Sequence, residues 1–198
     1  MSMHTEYEAK FYPLPFTKDE FRKILEDHGA VCKVPERLMR RILFGKEVNT
    51  MIHADYLRVR DEGAGTISLS AKTHAVEGGD IADQKEVELK IDSFDEAVLL
   101  LETMGMQKTE YMENKRESWL IDGAHVEIDT WPGLPVYCEV EAGSEGEVKR
   151  IADLLGLDWE GRRITSVVEV YAEKYSLTKM EAKEKMKFLT FEKCDFLN

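Results

Sequence analysis

The feature that most constrains this chain is an alternation of charge and apolarity repeated on separate segments. In Glu6-Tyr7-Glu8-Ala9-Lys10, an extended backbone places Glu6, Glu8 and Lys10 on one face and Tyr7, Ala9 and Phe11 on the other. Lys85-Glu86-Val87-Glu88-Leu89 and Tyr137-Cys138-Glu139-Val140-Glu141 repeat the pattern. Leu57-Arg58-Val59-Arg60 carries it with positive charge, and Lys72, Arg116 and Glu127-x-Asp129 extend it. For one strand the economical explanation is a solvated face. An ordinary half-solvated sheet mixes Thr, Ser and Gln into its polar side, whereas here carboxylates sit two apart on strand after strand. Rolling the strands into a closed sheet with the charges inward accounts for all of them at once. Carboxylates held close repel unless a hard divalent cation with oxygen ligands neutralises them. Arginine suits bidentate phosphate contacts and lysine supplies a point charge. Inward acids and bases together point to a metal-bound polyphosphate.

Composition narrows the partners. The 198 residues suffice for one domain with its own core, and no Pro- or Gly-rich linker divides residues 1–198. The formal net charge of −12 favours solubility and argues against a nucleic-acid or anionic-membrane surface, since such sites are basic. It leaves a polyphosphate substrate open, because divalent ions neutralise carboxylate clusters. Cys32, Cys138 and Cys194 are far apart and form no Cys-x-x-Cys, which predicts reduced thiols in a cytoplasmic protein. The first residues lack a basic and apolar signal region, and the longest apolar runs are too short to span a bilayer.

Along the chain, residues 4–12 read as a strand ended by Pro13 and Pro15. Thr17-x-x-Glu20 is a capping box opening a helix over 18–28. Residues 30–34 and 37–44 read as two strands, the second with Met39, Arg41 and Leu43 on one face. Residues 55–61 and 65–73 form a hairpin around Gly63 and Gly65, and 74–83 is a polar loop. A strand over 84–92 precedes a helix capped at Ser93 and stopped by Gly105. Strands follow over 107–113, 115–121, 124–130 and 136–142, with an Asp122-Gly123 hairpin turn. Ser144-x-x-Glu147 caps a helix to about 155, residues 167–172 read as a strand or a helix start, and 178–188 form a C-terminal helix. Met39, Met51, Met104 and Met106 read as core filler, and Trp119 and Trp131 as packing. Hairpin-like runs without continuous apolar strands exclude a doubly wound parallel fold. The expectation is an α+β, mainly antiparallel architecture.

These motifs resemble the signature of the CYTH superfamily, the triphosphate tunnel metalloenzymes, which include class IV adenylate cyclases, thiamine triphosphatases and inorganic triphosphatases. The resemblance begins at Glu6-x-Glu8-x-Lys10 and continues through Leu57-Arg58-Val59-Arg60, Ser70-Ala71-Lys72, Glu86-Val87-Glu88, Lys115-Arg116-Glu117, Glu127-Ile128-Asp129 and Glu139-Val140-Glu141. It covers roughly residues 4–175 and is specific as a set. It implies a closed eight-stranded β-barrel forming a triphosphate tunnel with helices packed outside. It implies that Glu6, Glu8, Asp129, Glu139 and Glu141 hold Mg²⁺ or Mn²⁺, and that Lys10, Arg58, Arg60, Lys72 and Arg116 bind the triphosphate. Glu86 and Glu88 look like further tunnel acids, and with Lys10 they are the candidate catalytic residues. One position departs from the pattern: some members have a basic residue where this chain has Asn114, and Lys115 faces the other way.

The implied activity is a metal-dependent phosphohydrolase acting on tripolyphosphate, ATP or thiamine triphosphate, as a monomer or homodimer. The alternatives are cyclisation of ATP to cyclic AMP and pyrophosphate, and a non-catalytic polyphosphate- or nucleotide-binding barrel. Hydrolysis asks for fewer special features, since nothing in the spacing marks an adenine pocket.

Overall fold

The alternation does build one mainly antiparallel sheet. The computed structural model describes residues 4–5, 7–73 and 85–197. Its strands are β1 (His4–Thr5), β2 (Tyr7–Phe11), β3 (Val31–Gly45), β4 (Tyr56–Asp61), β5 (Ile67–Thr73), β6 (Lys85–Ile91), β7 (Glu110–Ile121), β8 (Ala124–Thr130), β9 (Tyr137–Ala142) and β10 (Phe188–Leu189). They pair in the order β1-β6-β5-β4-β3-β7-β8-β9-β2, with β10 lying parallel to β7. Eight of them, β2 to β9, have five or more residues. The polar loop expected over 74–83 falls outside the described residues.

The two ends of this order, β1 and β2, are consecutive in the chain, so the sheet has to curl. It does not close fully. Among the described residues no ladder joins β1 to β2, and β1 gives β6 only the pairs His4↔Glu86 and Thr5↔Lys85. The outer edge of β2 carries an isolated bridge in which the Lys10 and Arg163 backbones exchange N–H···O bonds of 2.9 and 2.8 Å. The expected closed eight-stranded barrel is therefore corrected to a curled half-barrel. The reason is local: the N-terminal segment divides its pairing, its first residues going to β6 and residues 7–11 to β9, so neither edge receives a full ladder.

Two expected strand pairs are single long strands. Residues 30–34 and 37–44 merge into β3, with register shifts at Cys32/Val34 and Val34/Arg37 absorbing Pro35. Residues 107–113 and 115–121 merge into β7. The Asp122-Gly123 turn forms as expected, both residues at positive φ (49° and 82°), the geometry a two-residue hairpin requires.

Each strand spends its apolar face outside the curl, and the helices cover those faces. α1 (Lys18–Asp27), with its Thr17/Glu20 capping box, and α3 (Glu145–Leu154) bury Phe21, Leu25, Val148 and Ile151 against Ala9, Val126, Ile128, Cys138 and Val140. α2 (Phe94–Thr103) covers Ile42, Phe44 and Val59. Residues 167–172 belong to a helix, α4 (Val167–Lys174), and the C-terminal helix is α5 (Lys179–Met186). These two pack Val170, Tyr171, Ala182 and Met186 against Met112, Trp131 and Tyr137. Met39 is buried as expected, but Met51 and Met104 are exposed. No disulfide joins Cys32, Cys138 and Cys194 to one another. No helix among the described residues is long and apolar enough to cross a membrane.

Candidate functional site

The strand faces opposite the helices converge on one cavity of about 1330 Å³. From β2 and β9 it receives Glu8, Lys10, Glu139 and Glu141, and from β7 Arg116. From β3 to β6 it receives Arg41, Arg58, Arg60, Lys72, Glu86 and Glu88. Register explains the grouping: Glu8 lies opposite Glu141, Lys10 opposite Glu139, Arg116 opposite Asp129, and Arg41 opposite Arg60.

On the acid-rich side the cations are fully engaged. Lys10 Nζ pairs with Glu8 and, at 3.0 Å, with Glu139. Arg116 donates through Nε to Asp129 Oδ1 at 2.8 Å and through its terminal nitrogen to both Asp129 and Glu139. Asp129, wholly buried, also accepts from Asn114 Nδ2 at 3.0 Å. Burial alone would raise the Glu8 carboxyl, but Lys10, Lys72 and Arg116 outweigh it and hold Glu8 well below the ordinary carboxylate range. Burial works against the charge on Arg116 too, and Asp129 and Glu139 overcome it, keeping that guanidinium well above its ordinary value. Glu141 differs: partial desolvation and the neighbouring Glu8 charge raise its carboxyl.

On the base-rich side Arg58 donates to Glu86 Oε1 at 2.6 Å, Lys72 stands 3.6 Å from Glu86, and Arg60 donates to Glu62 (2.6 Å) and Glu88 (3.3 Å). Arg41 is buried and has no carboxylate partner among the described residues; its guanidinium donates to Asn114 Oδ1 and lies over the Trp131 ring at 4.8 Å. Burial and then the charges of Arg58, Arg60 and Arg116 push it down to about 9. Burial and the charge of Arg58 likewise lower Arg60. Among the described residues Arg41 therefore adds positive charge to this side with no carboxylate of its own.

Of the residues expected from sequence, the cavity brings together Glu8, Lys10, Arg58, Arg60, Lys72, Glu86, Glu88, Arg116, Glu139 and Glu141. Asp129 is placed behind Arg116 and holds it. Glu6 lies outside the described residues. His125 is exposed, and Tyr171 is buried with its hydroxyl donating to the Pro132 carbonyl. Lys115 does face the other way, over the Phe191 ring. Arg41 was not among the expected site residues, although its parity with Met39 and Leu43 was legible. Ser68 and Ser70, opposite Arg60 and Arg58, are buried hydroxyls with no partner among the described residues.

The donor set fits a hard cation in part. Glu8, Glu139 and Glu141 border the same cavity, and the mutual repulsion of Glu8 and Glu141 is what a cation would relieve. Among the described residues no three acidic, His or Cys side chains are drawn together at ligating geometry; Lys10 and Arg116 hold the carboxylates instead.

A model of the CYTH domain matches residues 4–159. A search of curated proteins finds no match. Among solved structures, a conserved hypothetical protein of Pyrococcus furiosus is similar at 20% identity and TM-score 0.67, covering 83% of this chain and 99% of its own. A "putative adenylate cyclase" of Vibrio parahaemolyticus aligns at 17% identity and TM-score 0.71 over 85% of this chain and 98% of its own. A "putative adenylyl cyclase" from Hippeastrum, described as having a dominant triphosphatase activity, aligns at 14% identity and TM-score 0.53 over 89% and 97%. At these identities the likeness is one of fold.

Proposed function

Since this chain belongs to the CYTH family, we propose that it is a divalent-metal-dependent triphosphatase whose substrate lies in the cavity between the acid-rich and base-rich sides. The observation that carries the reading is one cavity lined by two sets of charge, the carboxylates Glu8, Glu139 and Glu141 and the cations Arg41, Arg58, Arg60 and Lys72, with Glu141 and Arg41 making no ion pair among the described residues. A cation with a polyphosphate satisfies both.

Arg41, Arg58, Arg60 and Lys72 bind the phosphoryl oxygens, with Arg fitting paired oxygens and Lys a single one. Glu8, Glu139 and Glu141 are the residues that would hold Mg²⁺ or Mn²⁺, and the bound ion supplies charge neutralisation at the phosphate oxygens. Lys10, between Glu8 and Glu139, keeps the two carboxylates fixed and adds positive charge beside the substrate. Glu86 is held by Arg58 and Lys72 and positions them. Glu88, whose side chain is 37% exposed, has room for a water molecule and takes its proton as the water attacks the terminal phosphorus. The bond from that phosphorus to the bridging oxygen breaks, and orthophosphate and a diphosphate leave. Positioning and charge stabilisation do most of this work.

Cyclisation of ATP, the second reading, needs the same charged residues and differs in which phosphorus is attacked. Incubation with tripolyphosphate, ATP and thiamine triphosphate, each with Mg²⁺ and with Mn²⁺, separates them. Orthophosphate is the expected product. Pyrophosphate together with cyclic AMP would replace the proposal with the cyclase, and tight binding without product would replace it with a binding protein.

A further inference from the structure

Asn114 sits where the two sides of the cavity meet. It lies on β7, two residues before Arg116 and opposite Met39 of β3, and none of it is exposed. It does not line the cavity itself. A buried side-chain amide brings both a donor and an acceptor, and leaving either unused is costly. Here both are used: Nδ2 donates to Asp129 Oδ1 at 3.0 Å, and Oδ1 accepts from a terminal nitrogen of Arg41. The sense of these bonds leaves little choice of residue. Asp129, ion-paired with Arg116, only accepts, and Arg41 only donates. A carboxylate at 114 would set acceptor against acceptor at Asp129, an ammonium would set cation against cation at Arg41, and an apolar side chain would satisfy neither.

The bridge matters more to Arg41 than to Asp129. Without Asn114, Asp129 keeps both of its bonds from Arg116. Among the described residues Arg41 has no other hydrogen-bond acceptor, and its remaining polar contact is the face of the Trp131 ring at 4.8 Å. Arg58, Arg60 and Arg116 all repel it. Repulsion of that kind turns an unanchored guanidinium away from its neighbours, yet Arg41 stands on the same cavity wall as all three. The Asn114 oxygen is the acceptor that holds it there.

We propose that Asn114 is a positioning residue for triphosphate binding: its one amide ties Arg41 to the anchored Asp129–Arg116 pair and so keeps that guanidinium facing the phosphoryl oxygens. The inference rests on the triphosphate reading of the cavity and adds to it a residue that acts on the ligand only through another side chain.

The test is a double-mutant cycle on the intact chain, read by calorimetric titration with tripolyphosphate. A chelator is present so that no turnover intervenes; if binding is measurable only with Mg²⁺, the same cycle is read in KM. Arg41→Met weakens tripolyphosphate by about 10- to 100-fold. Asn114→Leu removes both amide bonds at nearly the same volume and weakens it by about 5- to 10-fold. In the Arg41→Met background the same substitution adds less than about twofold, because its effect passes through Arg41. The melting temperature shows whether Asn114→Leu folds, and Asn114→Ala runs the same cycle if it does not. Three results overturn the positioning role and leave the triphosphate reading intact: wild-type affinity in Arg41→Met, an effect of the Asn114 substitution under about twofold, or an equal effect in both backgrounds. Failure of the wild type to bind tripolyphosphate with or without Mg²⁺ overturns the triphosphate reading and this inference with it.

Discussion

On one side of the cavity Glu8, Asp129 and Glu139 share Lys10 and Arg116, with Glu141 beside them; on the other Arg41, Arg58, Arg60 and Lys72 are set against Glu86 and Glu88. The two sides are built alike, as inward faces of alternating strands with apolar outer faces under helices. They differ in how charge is balanced. On the acid-rich side Lys10 touches two carboxylates and Arg116 three, and both are locked in place, while Glu141 makes no ion pair among the described residues. On the base-rich side Arg41 has only an amide and an aromatic ring. A carboxylate at Glu141 and a guanidinium at Arg41, both lining one cavity and neither in an ion pair among the described residues, are an arrangement that a closed salt-bridge network would not need. It is suited to a ligand that brings both signs.

The largest expected effect comes from breaking the lock. Arg116→Met leaves Asp129 and Glu139 buried without their shared cation, which costs about 3–5 kcal/mol. The melting temperature then falls by roughly 6–20 °C for a chain of this size. A fall of under about 2 °C would mean that the acid-rich side is not held together by that guanidinium.

Next comes Glu8→Gln, which preserves shape and removes one charge. Lys10 keeps Glu139 at 3.0 Å, so the fold persists. Turnover of triphosphate falls by about a hundredfold to a thousandfold, the scale for losing one electrostatic group at a reacting centre. Full activity in this variant would remove Glu8 from the metal-binding role.

On the opposite side Arg60→Ala tests binding in place of chemistry. Loss of one charged contact weakens triphosphate binding by about 10- to 100-fold. An unchanged Kd with a reduced rate would make Arg60 a partner of Glu62 and Glu88 alone.

The contrast between the sides was only half legible in the sequence. Parity along each strand gave the inward residues, and Ala124–Thr130 was read to the residue because an Asp-Gly turn fixes its start. Parity says nothing about who pairs with whom. That Arg116 would take Asp129, leaving Glu141 crowded by Glu8, depends on cross-strand register. Arg41 was seen on the face it occupies but not joined to the site, because its place opposite Arg60 emerges only when β3 and β4 pair. Asn114 read as a break between two strands because asparagine favours turns. Buried between Asp129 and Arg41, its amide has tertiary partners that override that preference. Val167-Val168-x-Val170 left helix and strand open by periodicity, and the Ser166-x-x-Glu169 signal decided it, with Glu169 accepting from the Ser166 N–H at 2.8 Å. Closure of the barrel was over-read because identical strand faces do not reveal that β1 and β2 divide their pairing.

Glu110 offers the smallest and most diagnostic change, because it belongs to neither side. It begins β7 and lines the cavity, buried, near Thr109 and 3.5 Å from Lys183 of α5. Burial raises its carboxyl above the ordinary value of 4.5 even though Thr109 and Lys183 pull the other way. A carboxyl raised in the fold contributes stability that is fully present below its unfolded value and lost as pH rises through the folded one. Glu110→Gln cannot ionise, so it should gain on the wild type as pH rises from about 4 to about 8, with Lys183 retaining Glu47. Thermal melts across that range read the difference directly. A deficit in the variant that stays constant with pH, or widens as pH rises, would show that Lys183 compensates this carboxylate fully. Glu110 and Lys183 would then form a balanced pair like those of the acid-rich side, and Glu110 would no longer stand apart from the two sides.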